Sequence, residues 1–191
     1  RDRAVDFAHL LQLLDRNGSA HPQPGATHFQ GPIGRADLKW ESHTEFVTYT
    51  AFTKGVSARS FDPAEAEVLP EDWLATAPGK RLTSVLIRVE PMPPSEAELL
   101  RRMDEWFVPE SLAVSRVVDG AAVIAGDFRI DPAGHMRFAV FVAPGTGSRR
   151  VGRIVQRLCE IETYRAMSML GLMRSRDLTS RLNVLDPRLM A

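Results

Sequence analysis

The stretch from Ala36 to Thr53, ADLKWESHTEFVTYTAFT, constrains the fold most. Leu38, Trp40, Phe46, Val47, Tyr49 and Phe52 supply bulk, and its four threonines supply β-branching, so the run is strand-forming. Lys39, Glu41, His43 and Glu45 alternate with the bulk. One continuous strand would put these four on one face. Strands usually run about 5–6 residues, so a turn or bulge near Ser42 is expected. A hairpin turning at Ser42-His43 would set Trp40 roughly across from Glu45.

Other elements follow from periodicity and punctuation. Phe7, Leu10, Leu11 and Leu14 make an apolar stripe on a helix over 2–16, closed by Asn17-Gly18. A short strand over Thr27–Gln30 precedes a Gly31-Pro32 turn. Asp62-Pro63-Ala64-Glu65 starts a short helix, and 71–77 forms another turn with Trp73 and Leu74 inward. Arg81–Glu90 reads as a strand with Val85, Ile87 and Val89 on one face. Ser95 and Glu98 form a capping box for a helix to about Phe107, whose apolar face is Leu99, Leu100, Met103, Trp106 and Phe107. A meander follows: Leu112–Val118, Ala121–Ile130 and His135–Ala143, with turns at Asp119-Gly120 and Asp131–Gly134. Ser148 caps the longest helix, about 149–173, where Val151, Ile154, Leu158 and Ile161 repeat at three and four residues. Beyond Ala166 this helix is apolar nearly all round, so its end should be buried or paired. The expected fold is α/β (α+β): a mostly antiparallel mixed sheet of five to seven strands with helices packed on it and a long C-terminal helix. Residues 1–173 are expected to form one soluble domain, and 174–191 a polar tail towards a further C-terminal region.

Composition narrows the function classes. Hydrophobic residues make up 44% and charged residues 25%, as in a soluble globular protein. Lys plus Arg and Asp plus Glu each number 24, so no net field recruits nucleic acid, and no nucleic-acid partner is expected. The single cysteine, Cys159, forms no internal disulfide. No apolar run approaches the roughly 18 residues of a membrane span, and no signal-peptide pattern is present. The chain begins at Arg1, almost directly in helix, and reads as a piece of a longer protein.

Two groups of residues could carry chemistry. Glu41, His43 and Glu45, two apart on a strand, would stand roughly 6.6–7 Å apart on one face. Imidazole and carboxylate at that spacing can share zinc, iron or manganese, or act as an acid/base pair. The plainer reading is a solvated sheet face with cross-strand charge pairs. His21 and His28 flank a Pro/Gly loop and could join His43, or simply lie on the surface. His9 and His135 receive no role. The second group follows a strand and opens a helix: Gly145, Gly147, Ser148, Arg149, Arg150 and Arg153 could hold an anion on free backbone N–H groups and guanidinium. Arg153-Ile154 replaces the Lys-Ser/Thr of a phosphate-binding P-loop, so that motif fails. Cys159 lacks a nearby histidine in sequence and reads as a packed thiol. Glu162 and Arg165 are i, i+3 neighbours able to form a buried or interfacial pair. Ser42 lacks the G-x-S-x-G turn of a serine nucleophile. No cofactor is named by any motif.

Leu38–Thr50 (LKWESHTEFVTYT) and 155–165 (VQRLCEIETYR) resemble signatures of a bacterial family of uncharacterised membrane-anchored proteins, domain of unknown function three-four-two-two. Ile130–Phe141 and Pro70–Gly79 (PEDWLATAPG) resemble it too, and the likeness covers essentially the whole chain. Ser42 stands where the family usually carries a basic residue. The resemblance implies members about twice this length, with a C-terminal membrane anchor, this chain being their soluble head; the head is expected on the cytoplasmic side. It implies no activity and assigns no catalytic residue. Three functions are open: a scaffold that oligomerises or binds a partner through the long helix; a small-ligand, metal-binding or hydrolytic domain; and, by layout alone, the head of a cation-transport-like assembly.

Overall fold

The computed structural model describes residues 2–189. The fold is α+β, with seven strands and five α-helices among the described residues. The chain divides into two compact units, Arg1–Lys80 and Arg81–Ala191, each with its own sheet and core.

In the first unit, α1 (Arg3–Arg16) lies on an antiparallel sheet of β1 (His28–Ile33), β2 (Ala36–Ser42) and β3 (Val47–Thr53), in the order β1-β2-β3. The Asp2 carboxylate accepts the Ala4 N–H and starts α1. The helix ends with Ser19 N–H bonded to Leu14 O and Gly18 N–H to Asp15 O, with Gly18 at φ +61°. That is a Schellman closure, which the Asn17-Gly18 pair predicts. The core joins Leu10, Leu13 and Leu14 to Ile33, Leu38, Trp40 and Trp73. Trp73 comes from α3 (Glu71–Ala75), which follows α2 (Pro63–Ala66). Leu74, expected inward, is exposed.

The first turn of the sheet lies later than expected. Strand β1 runs through Gly31-Pro32, and Ile33 pairs with Ala36 around a two-residue turn, Gly34-Arg35. Proline is tolerated because β1 is an edge strand. Gly34, at φ +54°, takes the first turn position, where a tight hairpin favours glycine. The expected break in the central stretch is a hairpin: Ser42 pairs with Val47 and Trp40 with Tyr49. Trp40 therefore faces Tyr49, not Glu45, because the loop takes four residues, 43–46.

In the second unit the sheet order is β4-β7-β6-β5, formed by β4 (Val85–Pro91), β5 (Ala113–Val117), β6 (Ala122–Ile130) and β7 (Met136–Val142). Only the β4–β7 pair is parallel. One sheet face carries Ala122, Met136, Phe138 and Val140, packed with Ile154 and Leu158 of α5 (Ser148–Leu189). The opposite face carries Phe141, which stacks on Trp106 of α4 (Glu96–Trp106) at 5.6 Å. Met103 and Phe107 are also buried, whereas Leu100 is exposed. Ser95 accepts the Glu98 N–H, the expected cap. The Glu98 side chain turns instead to Arg101 and Arg102. Glu90, buried on β4, binds Arg88 and Arg102.

Strand β6 carries two extra residues between Gly126 and Ile130 relative to β7. The buried Asp127 organises this bulge: it accepts the N–H groups of Val108 and Arg129 and the Arg137 guanidinium, each at 3.1 Å. Helix α5 continues past Met173, so residues 174–189 extend it rather than form a separate tail. Among the described residues no helix is long and apolar enough to cross a membrane.

Candidate functional site

The hairpin divides the three residues considered for a metal between a strand and its loop. Glu41 stays on β2, opposite Thr48, while His43 and Glu45 fall in the loop. The shared face needed a continuous strand, and the loop breaks its two-residue period. The His43 N–H donates to Phe46 O at 2.9 Å, and its ring lies 4.5 Å from the Phe46 ring. Glu41 accepts from Lys39 Nζ at 2.9 Å, the charge pairing of a solvated sheet face. His28, on β1, pairs with Glu41 on β2. His21 pairs with Asp15 at 2.7 Å on the surface. Among the described residues no group of three or more His, Cys, Asp or Glu is placed to hold a metal ion.

Two histidines without a sequence-assigned role are buried. His9 stacks on Trp73 with ring centroids 4.0 Å apart. Its Nε2 donates to Trp73 O, and Trp73 Nε1 donates back to His9 O, both at 3.0 Å. A carbonyl only accepts, so Nε2 carries the proton, and Nδ1 faces the Tyr49 hydroxyl at 3.4 Å. This reciprocal clasp fixes α3 to α1. The signal for it is the row Asp6, His9, Leu10, Leu13 and Leu14, the buried side of α1. The other histidine, His135, lies 2.7 Å through Nδ1 from Ser84 Oγ.

At the start of α5, Arg150 and Val151 N–H groups bond to Gly147 O. Gly147 thus occupies the cap position expected for Ser148, and Ser148 is the first helical residue. The Thr146 hydroxyl donates to Ala121 O at 3.1 Å and ties the loop to the β5–β6 turn. Arg149, Arg150 and Arg153 are exposed along the first turns, with Gly145 and Gly147 before them. The arrangement is a basic helix start open to solvent.

Further along α5 the buried row is Ile154, Leu158 and Glu162, not the heptad continuation to Ile161. A straight helix has 3.6 residues per turn, so a row fixed against a sheet drifts past a 3.5-residue repeat. Glu162 is 1% exposed. Arg165 grips it with Nε at 2.7 Å and Nη2 at 2.8 Å, and Thr83 Oγ1 donates at 2.7 Å. Burial raises the Glu162 pKa, but the hydrogen bonds from Arg165 and Thr83 and the Arg165 charge outweigh it, so the net shift is down. This is the pair expected from the i, i+3 spacing, with Glu162 buried and Arg165 exposed. Thr83 was not foreseeable, since nothing local links it to a residue 79 positions away. Cys159 is half-buried.

The outer side of α5 is different. Ile161 is 60% exposed, Tyr164 69%, Leu178 57% and Leu182 64%. Met169, Leu172 and Met173 are exposed as well. The apolar helix end expected to be covered is open along its described length.

Comparison with known proteins gives a family without an assigned activity. No curated protein and no solved structure matches the chain. The family model described as Protein of unknown function (DUF3422) matches residues 1–191, and the chain belongs to that family.

Proposed function

We propose that the chain is an assembly module in which α5 pairs side by side with α5 of a second copy, as the head of a longer, membrane-anchored protein. The observation that carries this is the exposed row on α5. Ile161, Tyr164, Ser168, Gly171, Ser175, Leu178 and Leu182 follow one another at alternating spacings of three and four, the seam of a two-stranded coil. The row is turned away from Leu158 and Glu162, which face the sheet, so one helix serves both surfaces. Large side chains stand at both ends of the row, and small ones at its centre let two backbones approach closely.

A second copy fits the row because a two-fold pairing uses one patch twice. With the helices parallel and in register, Met167 would face Leu172 and Arg174 would face Thr179. These flanks add apolar contact and set no like charges together. Parallel pairing also sends both C-terminal ends in one direction, as two chains anchored in one membrane require. The anchor rests on the family resemblance alone.

The test is the mass of the 191-residue chain in solution by sedimentation equilibrium. The expected result is a dimer near twice 21.2 kDa. Burying a leucine is worth about 1.5–3 kcal/mol, so Leu178→Glu with Leu182→Glu should weaken association by at least 100-fold and leave a folded monomer. A monomeric wild-type chain at 100 µM would refute the proposal.

A further inference from the structure

A pocket of about 250 Å³ opens in the second unit, where residues 81–84, the 131–134 turn and α5 meet. Its polar wall is Arg81, Thr83, Ser84 and Arg165, and its apolar wall includes Ile130 and Met136.

The charge balance of this pocket is unequal. Glu162, behind Thr83, is matched by Arg165 through a bidentate contact. That contact uses Nε and Nη2 and leaves Nη1 for another acceptor. Arg81 has no carboxylate partner among the described residues, and its one hydrogen bond is a 3.5 Å contact to Ala133 O. A Cβ at Gly134 would collide with the Arg81 guanidinium, so the glycine leaves room for that cation at the pocket rim. One guanidinium charge therefore stays uncompensated.

The hydroxyls add direction. Thr83 Oγ1 is committed to Glu162. Ser84 Oγ sits 2.7 Å from the buried His135 Nδ1. One proton lies between Ser84 Oγ and His135 Nδ1, and Ser84 lines the pocket beside this contact.

We propose that this pocket binds a small oxyanion, the phosphate or carboxylate group of a metabolite. Arg81 supplies the unmatched charge, Arg165 Nη1 supplies a donor, Ser84 adds a polar edge, and Met136 and Ile130 bound the apolar side. Pockets for drug-sized ligands span about 300–1,000 Å³, so this volume suits a small metabolite. The site is separate from the Arg149–Arg153 helix start and independent of the pairing of α5.

The experiment is a thermal-shift titration of the 191-residue chain, at constant ionic strength, with inorganic phosphate in one arm and succinate in the other. The expected result is a saturable rise in melting temperature of several degrees in one arm, and that arm assigns the group. Arg81→Ala should weaken the response at least tenfold without changing the ligand-free melting temperature, because Arg81 is exposed and makes one long hydrogen bond. Arg81→Lys should restore part of it. A flat response to both anions up to 10 mM would overturn the proposal. So would a rise that survives Arg81→Ala, or one lost in Arg149→Ala/Arg150→Ala instead.

Discussion

At the scale of single residues, the buried polar groups define this molecule more sharply than its apolar core does. Asp127, 1% exposed, sits in the β6 bulge and is the acceptor for the amides of Arg129 and Val108 and for Arg137 of β7. Asp127→Ala removes that acceptor and takes the carboxylate from Arg137. Breaking a buried ion pair and stranding amides should cost about 3 kcal/mol or more, read as a lower urea midpoint. Asp127→Asn keeps one acceptor oxygen and should cost less. None of this was legible beforehand. Asp127 lies in a run of strand residues, and its partners stand 19, 2 and 10 positions away. The Glu162–Arg165 pair was legible because helical geometry alone brings i and i+3 together. His9 was missed because the stripe read on α1 was Phe7, Leu10, Leu11 and Leu14, while the buried row runs one position to the side, through Leu13.

At the scale of elements, punctuation carried far. Asn17-Gly18, Asp62-Pro63, Ser95 and Asp131–Gly134 all act as their chemistry predicts. Each is a local hydrogen bond or a backbone preference, satisfied within a few residues. Register was less accessible. The break near Ser42 was foreseen from length, but the size of the loop decided that His43 and Glu45 leave the strand face. Close packing between strands was also invisible. A Cβ on Gly126 would meet the Phe138 ring at 2.5 Å and Arg137 O at 3.1 Å. Gly126→Ala should therefore destabilise the β6–β7 pair by about 1–3 kcal/mol, measured by urea denaturation followed through tryptophan fluorescence. An unchanged midpoint would show that the ring moves aside at no cost.

At the scale of the whole molecule, acid stability gathers these local contacts into one measurable quantity. Hydrogen bonds from Arg101 and Arg102 lower the Glu98 pKa to about 2. Glu162 is also held below its ordinary value, against its burial. A carboxylate with a depressed folded pKa binds fewer protons folded than unfolded, so its stabilisation is complete above the unfolded value near 4.5 and is lost as pH falls. The urea midpoint should stay level above about pH 5 and fall between about pH 4.5 and 2. Glu162→Gln should lower the plateau and flatten the fall. The sequence by itself determined the fold class, the caps of α1, α2 and α4, the meander, the long helix and its over-apolar end, because each depends on residues close in the chain. Tertiary structure decided how seven strands divide between two sheets, which row of α5 faces a sheet and which stays open. It also decided that Arg81, Thr83, Ser84 and Arg165 meet around one pocket. Those outcomes depend on contacts between distant segments, where packing and the 3.6-residue helical turn select one arrangement among many that local preference allows.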